Sequence, residues 1–242
     1  MSGRGALAGQ VAIVTGAGRG IGHAIATALA REEATVVLAA RTRQQLAATA
    51  ASIRESGGTA LAIPTDVTQD AGVEAMVEQA IAELGRVDAL VTAAGAASFG
   101  PVVSSKPADW DAILAVNLRA VMVCCHAVLP VMIRQRRGTI INVASVAAQR
   151  AIPGAAVYTA TKAGVVGFSR VLAEELRAEG VRVGVLVPGA VDTPLWDTIP
   201  NSPDRSRMLR PEDVARAAVL MASLPPGAAL EELTLLPQGG IL

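Results

Sequence analysis

The stretch Gln10–Gly22 reads Q-V-A-I-V-T-G-A-G-R-G-I-G. Its first part, Gln10–Thr15, is a short apolar run rich in β-branched residues, the pattern of a strand buried on both faces. A glycine turn, Gly16–Gly22, follows it. Next come the helical segment H-A-I-A-T-A-L-A-R-E-E (His23–Glu33) and a second apolar run, T-V-V-L-A-A (Thr35–Ala40). Strand, glycine turn, helix and strand fall within about 30 residues, the βαβ context that a dinucleotide-binding turn requires. Glycines let the backbone turn tightly and let a pyrophosphate approach the helix N-terminus. No Gly-Lys-Ser/Thr follows, which excludes a phosphate-loop nucleoside triphosphatase.

The alternation continues along the chain. The pattern predicts helices over 41–56, 70–84, 109–134, 157–179 and 210–224. It predicts further strands at Thr59–Pro64, Val87–Gly95, Gly138–Ser145 and Val181–Gly189, with a last one near Leu230–Leu236. Regular β–α alternation argues for an α/β fold: one doubly wound parallel sheet of about seven strands flanked by helices. No linker or repeat divides the chain, so residues 1–242 are expected to form a single domain. Pro194–Pro211 interrupts the alternation with four prolines and many polar residues, and reads as a mobile substrate loop.

Composition narrows the function classes. Lys+Arg 21 balance Asp+Glu 21, which gives no electrostatic case for a nucleic-acid or anionic-membrane partner. No apolar run approaches the roughly 18 residues of a membrane span, and MSGRGALAGQ lacks the apolar segment of a signal peptide. Cys124 and Cys125 are adjacent, which disfavours an ordinary disulfide between them and suits a reducing, cytoplasmic setting. His23 and His126 have no Asp, Glu or Cys at ligand spacing, so no metal is expected.

Two residues stand out for chemistry. Tyr158 is the only tyrosine, and Lys162 is one of two lysines, with Lys106. Four residues apart on a helix, they share one face. An ammonium near a phenol favours the phenolate and lowers its pKa, which makes a general acid/base for a hydroxyl or carbonyl group. In a doubly wound sheet, ligands sit outside the C-terminal ends of the strands. The glycine turn, Ser145 and the Tyr158–Lys162 helix all fall at those ends.

The ordered set T-G-A-G-R-G-I-G (Thr15–Gly22), Asp66-Val67, Ala94-Gly95, Asn117, Ser145, Tyr158-x-x-x-Lys162 and Pro188-Gly189 with Thr193 covers almost the whole chain. It resembles the short-chain dehydrogenase/reductase family. The resemblance implies a Rossmann fold and an oxidoreductase that moves a hydride between a nicotinamide dinucleotide and a ketone or secondary alcohol. It gives Tyr158 the proton, Lys162 the ribose hydroxyls and the phenol's acidity, Ser145 the substrate oxygen, and Asn117 a water in a proton relay. It places the cofactor on Gly16, Arg19, Gly20, Ile21, Gly22, Arg41, Asp66, Val67, Ala94, Gly95, Tyr158, Lys162, Pro188, Gly189, Val191 and Thr193. A homotetramer or homodimer is expected.

Two departures matter. The family usually carries Asn-Asn-Ala-Gly where this chain has Thr92-Ala93-Ala94-Gly95, which questions the side-chain bonds that tie strand four to its neighbours. The C-terminal Leu-Pro-Gln-Gly-Gly also replaces the usual Val-Asp-Gly-Gly. Strand two ends without the carboxylate that receives the adenosine ribose of NAD, and no Asp or Glu occurs between Ala34 and Arg54. Arg41 and Arg19 are instead suited to a 2′-phosphate. NADP(H) is therefore the expected cofactor, with NAD(H) possible. Carbonyl reduction competes with 3-oxoacyl-thioester reduction on an acyl carrier protein, for which Arg205, Arg207 and Arg210 are the candidate contacts. A catalytically silent NAD(P)-binding sensor is the third reading; it would have lost Tyr158, Lys162 or Ser145. Leu195, Trp196, Met208 and Leu209 either line an apolar substrate pocket or pack on the domain body.

Overall fold

The computed structural model describes residues 4–199 and 203–241. Seven strands form one parallel sheet in the order β3-β2-β1-β4-β5-β6-β7. The strands are β1 (Val11–Thr15), β2 (Thr35–Ala40), β3 (Thr59–Pro64), β4 (Ala89–Thr92), β5 (Gly138–Val143), β6 (Val181–Pro188) and β7 (Glu232–Leu235). The helices are α1 (Gly20–Arg31), α2 (Arg43–Glu55), α3 (Asp70–Leu84), α4 (Pro107–Leu114), α5 (Ala120–Gln135), α6 (Ala156–Leu176) and α7 (Pro211–Ala222). Strand order reverses between β1 and β4, which opens a crevice outside their C-terminal ends.

Successive side chains of a strand point to opposite faces, and both faces of this sheet are covered. In β1, Val11 and Ile13 join the layer under α3, α5 and α6, while Ala12 and Val14 join the layer under α1, α2 and α7. All five β1 residues are buried. That is why the run lacks polar alternation in the sequence.

Polar side chains fix the N-terminal edge of the sheet. The Asp88 carboxylate accepts from the Val11 amide at 2.9 Å and from Nε and Nη2 of Arg86. Gln135 pairs with the Val87 amide and carbonyl at 3.1 and 2.7 Å. Arg182 donates to the carbonyls of Leu224 and Ala228 beyond the end of α7.

The predicted 109–134 helix is longer and less regular than its periodicity suggests. It runs from Pro107 to Gln135 and contains one π turn, Ala115–Arg119. By length and composition this is one helix apolar enough to cross a membrane, a property that scanning for an uninterrupted apolar run misses. Within the fold, Ala120, Val121, Cys124, Cys125, Val128, Val131 and Met132 are buried in the core. Burial pushes both thiols up, Cys124 to about 12, so neither is a reactive thiolate.

Strand four is shorter than expected, ending at Thr92 rather than Gly95. The Ala93 and Ala94 amides leave the ladder and donate to the Thr15 hydroxyl at 3.1 and 3.2 Å. The expected loop 194–211 holds two short 3-10 turns, Pro194–Thr198 and Arg205–Arg207. Its base is closed by a bridge between Val191 and Leu209. Residues 200–202 of that stretch lie outside the described residues.

Candidate active site

Apart from Asn117, which sits mid-helix on the π turn, and Pro188, the last residue of β6, the site residues predicted from the sequence lie in loops and early helical turns beyond the C-terminal strand ends. The glycine turn leaves β1 with Gly16 at φ 69° and Gly20 at φ 57°. A Cβ on Gly16 would stand 2.8 Å from the Ala94 amide nitrogen, so only glycine lets the β1 and β4 loops touch here. A Cβ on Gly22 would stand 2.4 Å from the Gly16 carbonyl oxygen, which closes the turn onto α1. Gly20 faces the Thr193 side chain, so the loop after β6 covers the turn.

The start of α1 lacks the usual capping groups. Arg19 occupies the N-cap with no side-chain hydrogen bond, and the first turn holds no acidic residue. Its amides and the positive end of its dipole therefore remain available to an anion. Arg41 follows β2 and, like Arg19, is exposed; among the described residues neither forms an ion pair. Asp66 follows β3 and accepts from the Thr68 amide and hydroxyl at 3.0 and 2.8 Å. These bonds, with a smaller contribution from Arg41, hold its carboxyl below the usual range. Val67 beside it is buried in the core.

The catalytic candidates converge from three elements. Ser145 follows β5, and its Oγ accepts from the Ala147 amide at 3.2 Å. Tyr158, on the first turn of α6, places its phenol close enough to that hydroxyl for Ser145 to favour the phenolate. Lys162, one turn on, is buried, and its Nζ donates to the Val143 carbonyl at 2.9 Å. Nζ lies 5.8 Å from the centre of the Tyr158 ring. A Cβ on Gly95 would stand 3.2 Å from Asn117 Oδ1 and 3.9 Å from Lys162 Nζ, which puts the β4 loop against both.

Asn117 sits on the π turn, a distortion common at functional sites. Its side chain is fully buried and pairs with Ala96 as a peptide would, accepting from its amide at 2.9 Å and donating to its carbonyl at 2.8 Å. Helix and β4 loop are locked together by this one side chain.

The titration of the pair differs from the expectation. Burial pushes the Tyr158 phenol up, and the nearby Ser145 hydroxyl only partly offsets this. Burial also pushes the Lys162 ammonium down, to about 8. Both shifts have one cause: a low-dielectric cleft disfavours each charged form. The sequence spacing carries the proximity but not the desolvation.

The missing Asn-Asn at Thr92-Ala93 has a substitute. Thr92 Oγ1 donates to Asn142 Oδ1 at 2.8 Å, and Asn142 Nδ2 donates to Ser169 Oγ at 2.9 Å. A buried chain of side chains thus ties β4 through β5 to α6, the helix that carries Tyr158 and Lys162. Met208 and Leu209 pack on the domain body, whereas Trp196 stacks on Phe99. Phe99 itself gave no motif; its only sequence signal is the scarcity of aromatic residues, at 2%.

The chain has known relatives in both sequence and fold. A family model described as short chain dehydrogenase matches residues 10–204. The chain belongs to the short-chain dehydrogenase/reductase family. It is 36% identical to a 3-oxoacyl-(acyl-carrier-protein) reductase of Synechocystis sp., over 98% of each chain. It is 38% identical to a metagenomic short-chain oxidoreductase solved in complex with NADP, covering 96% of this chain and 99% of that one with a TM-score of 0.86. A putative short-chain dehydrogenase/reductase from Burkholderia xenovorans is 37% identical over 98% of each chain, with a TM-score of 0.91. As a member of the family, the protein is an oxidoreductase of the C=O/CH–OH type that binds a nicotinamide cofactor. The uncapped start of α1 and the glycine positions fit such a dinucleotide.

Proposed function

We propose that this short-chain dehydrogenase/reductase interconverts ketones and secondary alcohols with NADP(H). The reading is carried by the convergence of Ser145, Tyr158 and Lys162 beside the loops that hold the glycine turn. When bound, the nicotinamide supplies the hydride in reduction and accepts it in oxidation.

The chain's own residues account for the proton. Ser145 Oγ would hold the substrate oxygen, and Tyr158 would release its proton to that oxygen as the carbon gains hydride. In the alcohol direction Tyr158 takes the proton back. A phenol whose pKa is raised stays protonated at neutral pH, ready to act as the acid in reduction. Lys162 is charged below about pH 8 and would hold ribose hydroxyls while favouring the phenolate. Asn117, against Gly95 and the β4 loop, would position the water path that returns a proton to Lys162. Gly16, Arg19, Gly20, Ile21 and Gly22 would cradle the pyrophosphate. Asp66, Val67, Ala94 and Gly95 would line the adenosine side, and Pro188, Gly189, Val191 and Thr193 the nicotinamide side.

NADP(H) is favoured over NAD(H) by the guanidinium groups of Arg19 and Arg41, which form no ion pair among the described residues, and by the lack of a carboxylate at the end of β2. The thioester alternative draws on likeness to the Synechocystis relative. Against it, Arg205 is paired with Asp192 and Asp197, and Arg210 with Asp213. The silent-sensor reading has no support in the residues, since Ser145, Tyr158 and Lys162 are all present. A cytoplasmic homotetramer or homodimer is also proposed, with the exposed apolar Val171 of α6 as a contact.

The test is Tyr158→Phe. Turnover of ketones with NADPH should fall by at least ~10²-fold, because a general acid contributes about that much. The NADPH Kd should change little. Undiminished turnover would refute the proposal.

A further inference from the structure

The chain has two phenylalanines, two tryptophans and one tyrosine, and three of these rings meet at the site. Phe99 lies 5.9 Å from the Tyr158 ring, tilted by 48°. Trp196 lies 6.1 Å from Phe99 on its other contact, nearly parallel at 7°. We infer that Phe99 and Trp196 form the wall that selects the substrate, and that the preferred substrate is a ketone bearing an aryl or similarly flat apolar substituent. This deepens the reductase reading and rests on it.

Position supports the assignment. Trp196 lies three residues after Thr193, which covers the glycine turn, so the wall starts on the cofactor side and ends at the catalytic phenol. The Trp196 ring is held by a bond to the backbone, and the backbone beside Phe99 is held by another. Trp196 Nε1 donates to the Val191 carbonyl at 2.9 Å, and Val191 is pinned by its bridge to Leu209. Next to Phe99, the Gly100 amide donates to the Gly154 carbonyl at 2.8 Å. A flat ring gains most against a preorganised aromatic face, because stacking adds to simple burial and little side-chain freedom is lost. A small hydroxylated ketone gains none of this.

Phe99 has a second role. It also lines a cavity of about 240 Å³ with Pro101, Val102, Trp110, Gly154 and Val157. Tyr158, Ser145 and Trp196 do not line that cavity. Phe99 thus borders both the catalytic phenol and this space. Its removal should join the two and admit longer substituents.

The experiment compares kcat/KM with NADPH for acetophenone, 1-phenylhexan-1-one, butanone and dihydroxyacetone. Wild type should prefer acetophenone to butanone by about tenfold or more. Trp196→Ala should lower that ratio by about tenfold, mainly through KM, and Trp196→Phe should restore most of it. Phe99→Ala should lower the same ratio yet raise turnover of 1-phenylhexan-1-one relative to acetophenone. Phe99→Leu serves as the milder variant if Phe99→Ala does not fold. If wild type reduces butanone or dihydroxyacetone as well as acetophenone, this inference falls and the reductase reading stands. If Trp196→Ala lowers all four substrates equally, the ring is structural and the inference also falls. If wild type reduces no ketone with NADPH, the reductase reading itself fails and takes the inference with it.

Discussion

Lys162→Met should change the pH dependence of stability in a way the structure fixes in sign and size. Lys162 is 6% exposed, and burial lowers its pKa from 10.5 to about 8. The unfolded chain therefore binds more protons than the folded one between about pH 8 and 10.5, so this group makes stability rise with pH across that window. Below pH 8 the buried ammonium costs about 3 kcal/mol relative to the neutral amine. Methionine fills similar space without a charge, but loses the hydrogen bond to Val143, worth about 1 kcal/mol. At pH 7 the variant should therefore be more stable than wild type by about 2 kcal/mol, although its turnover should collapse. At pH 10.5 the order should narrow or invert, with the variant weaker by up to about 1 kcal/mol. Urea unfolding of both proteins at one protein concentration, at pH 7, 8.5 and 10.5, reads this directly. A stability difference that stays constant across those pH values would show that Lys162 is not desolvated, and the account of the site's titration would be wrong.

Other substitutions test other links. Thr92→Val keeps the shape but leaves Asn142 Oδ1 with only the Cys125 thiol at 3.7 Å, so stability should fall by about 1–3 kcal/mol in urea unfolding, while Thr92→Ser should cost less. Gly16→Ala must place a Cβ at φ 69° and 2.8 Å from the Ala94 nitrogen; the backbone alone should cost about 1–2 kcal/mol, and NADPH binding by calorimetry should be lost. Arg41→Ala should weaken NADPH binding by about tenfold or more and leave NADH nearly unchanged, since a charge-assisted bond to a 2′-phosphate is worth roughly 1.5–3 kcal/mol. Equal losses for both cofactors would remove Arg41 from the phosphate site.

The order of strands and helices was legible because apolar runs and glycine punctuation are local signals. Thr35–Ala40, Thr59–Pro64 and the helix Asp70–Leu84 match their predicted bounds. The misses all involve partners distant in sequence. Strand four stops early because the Thr15 hydroxyl captures the Ala93 and Ala94 amides. The π turn carries Asn117, whose side chain pairs with Ala96 across 21 residues, a contact that periodicity cannot express. Phe99 acquires a role only when Trp196 is brought beside it. The direction of the Tyr158 pKa depends on desolvation, a quantity no spacing contains.

The two ends of the sheet handle their polar groups in opposite ways, and this locates the chemistry independently of any motif. At the N-terminal edge the donors and acceptors named here are matched: Asp88 with Val11 and Arg86, Gln135 with Val87, Arg182 with the carbonyls beyond α7. That edge reads as stability. At the C-terminal edge, by contrast, donors outnumber their protein partners. Among the described residues, the amides at the start of α1 have no side-chain cap, Arg19 and Arg41 form no ion pair, and the Lys162 ammonium has one carbonyl, that of Val143, for its three hydrogens. The uncapped amides and the buried ammonium each lower stability where they occur. A fold keeps such a concentration of unmatched donors only where a partner rich in acceptor oxygens completes them. Phosphates, ribose hydroxyls and a carbonyl oxygen form such a set. The donor excess therefore points to the same ligand as the glycine turn does, through a separate line of physics.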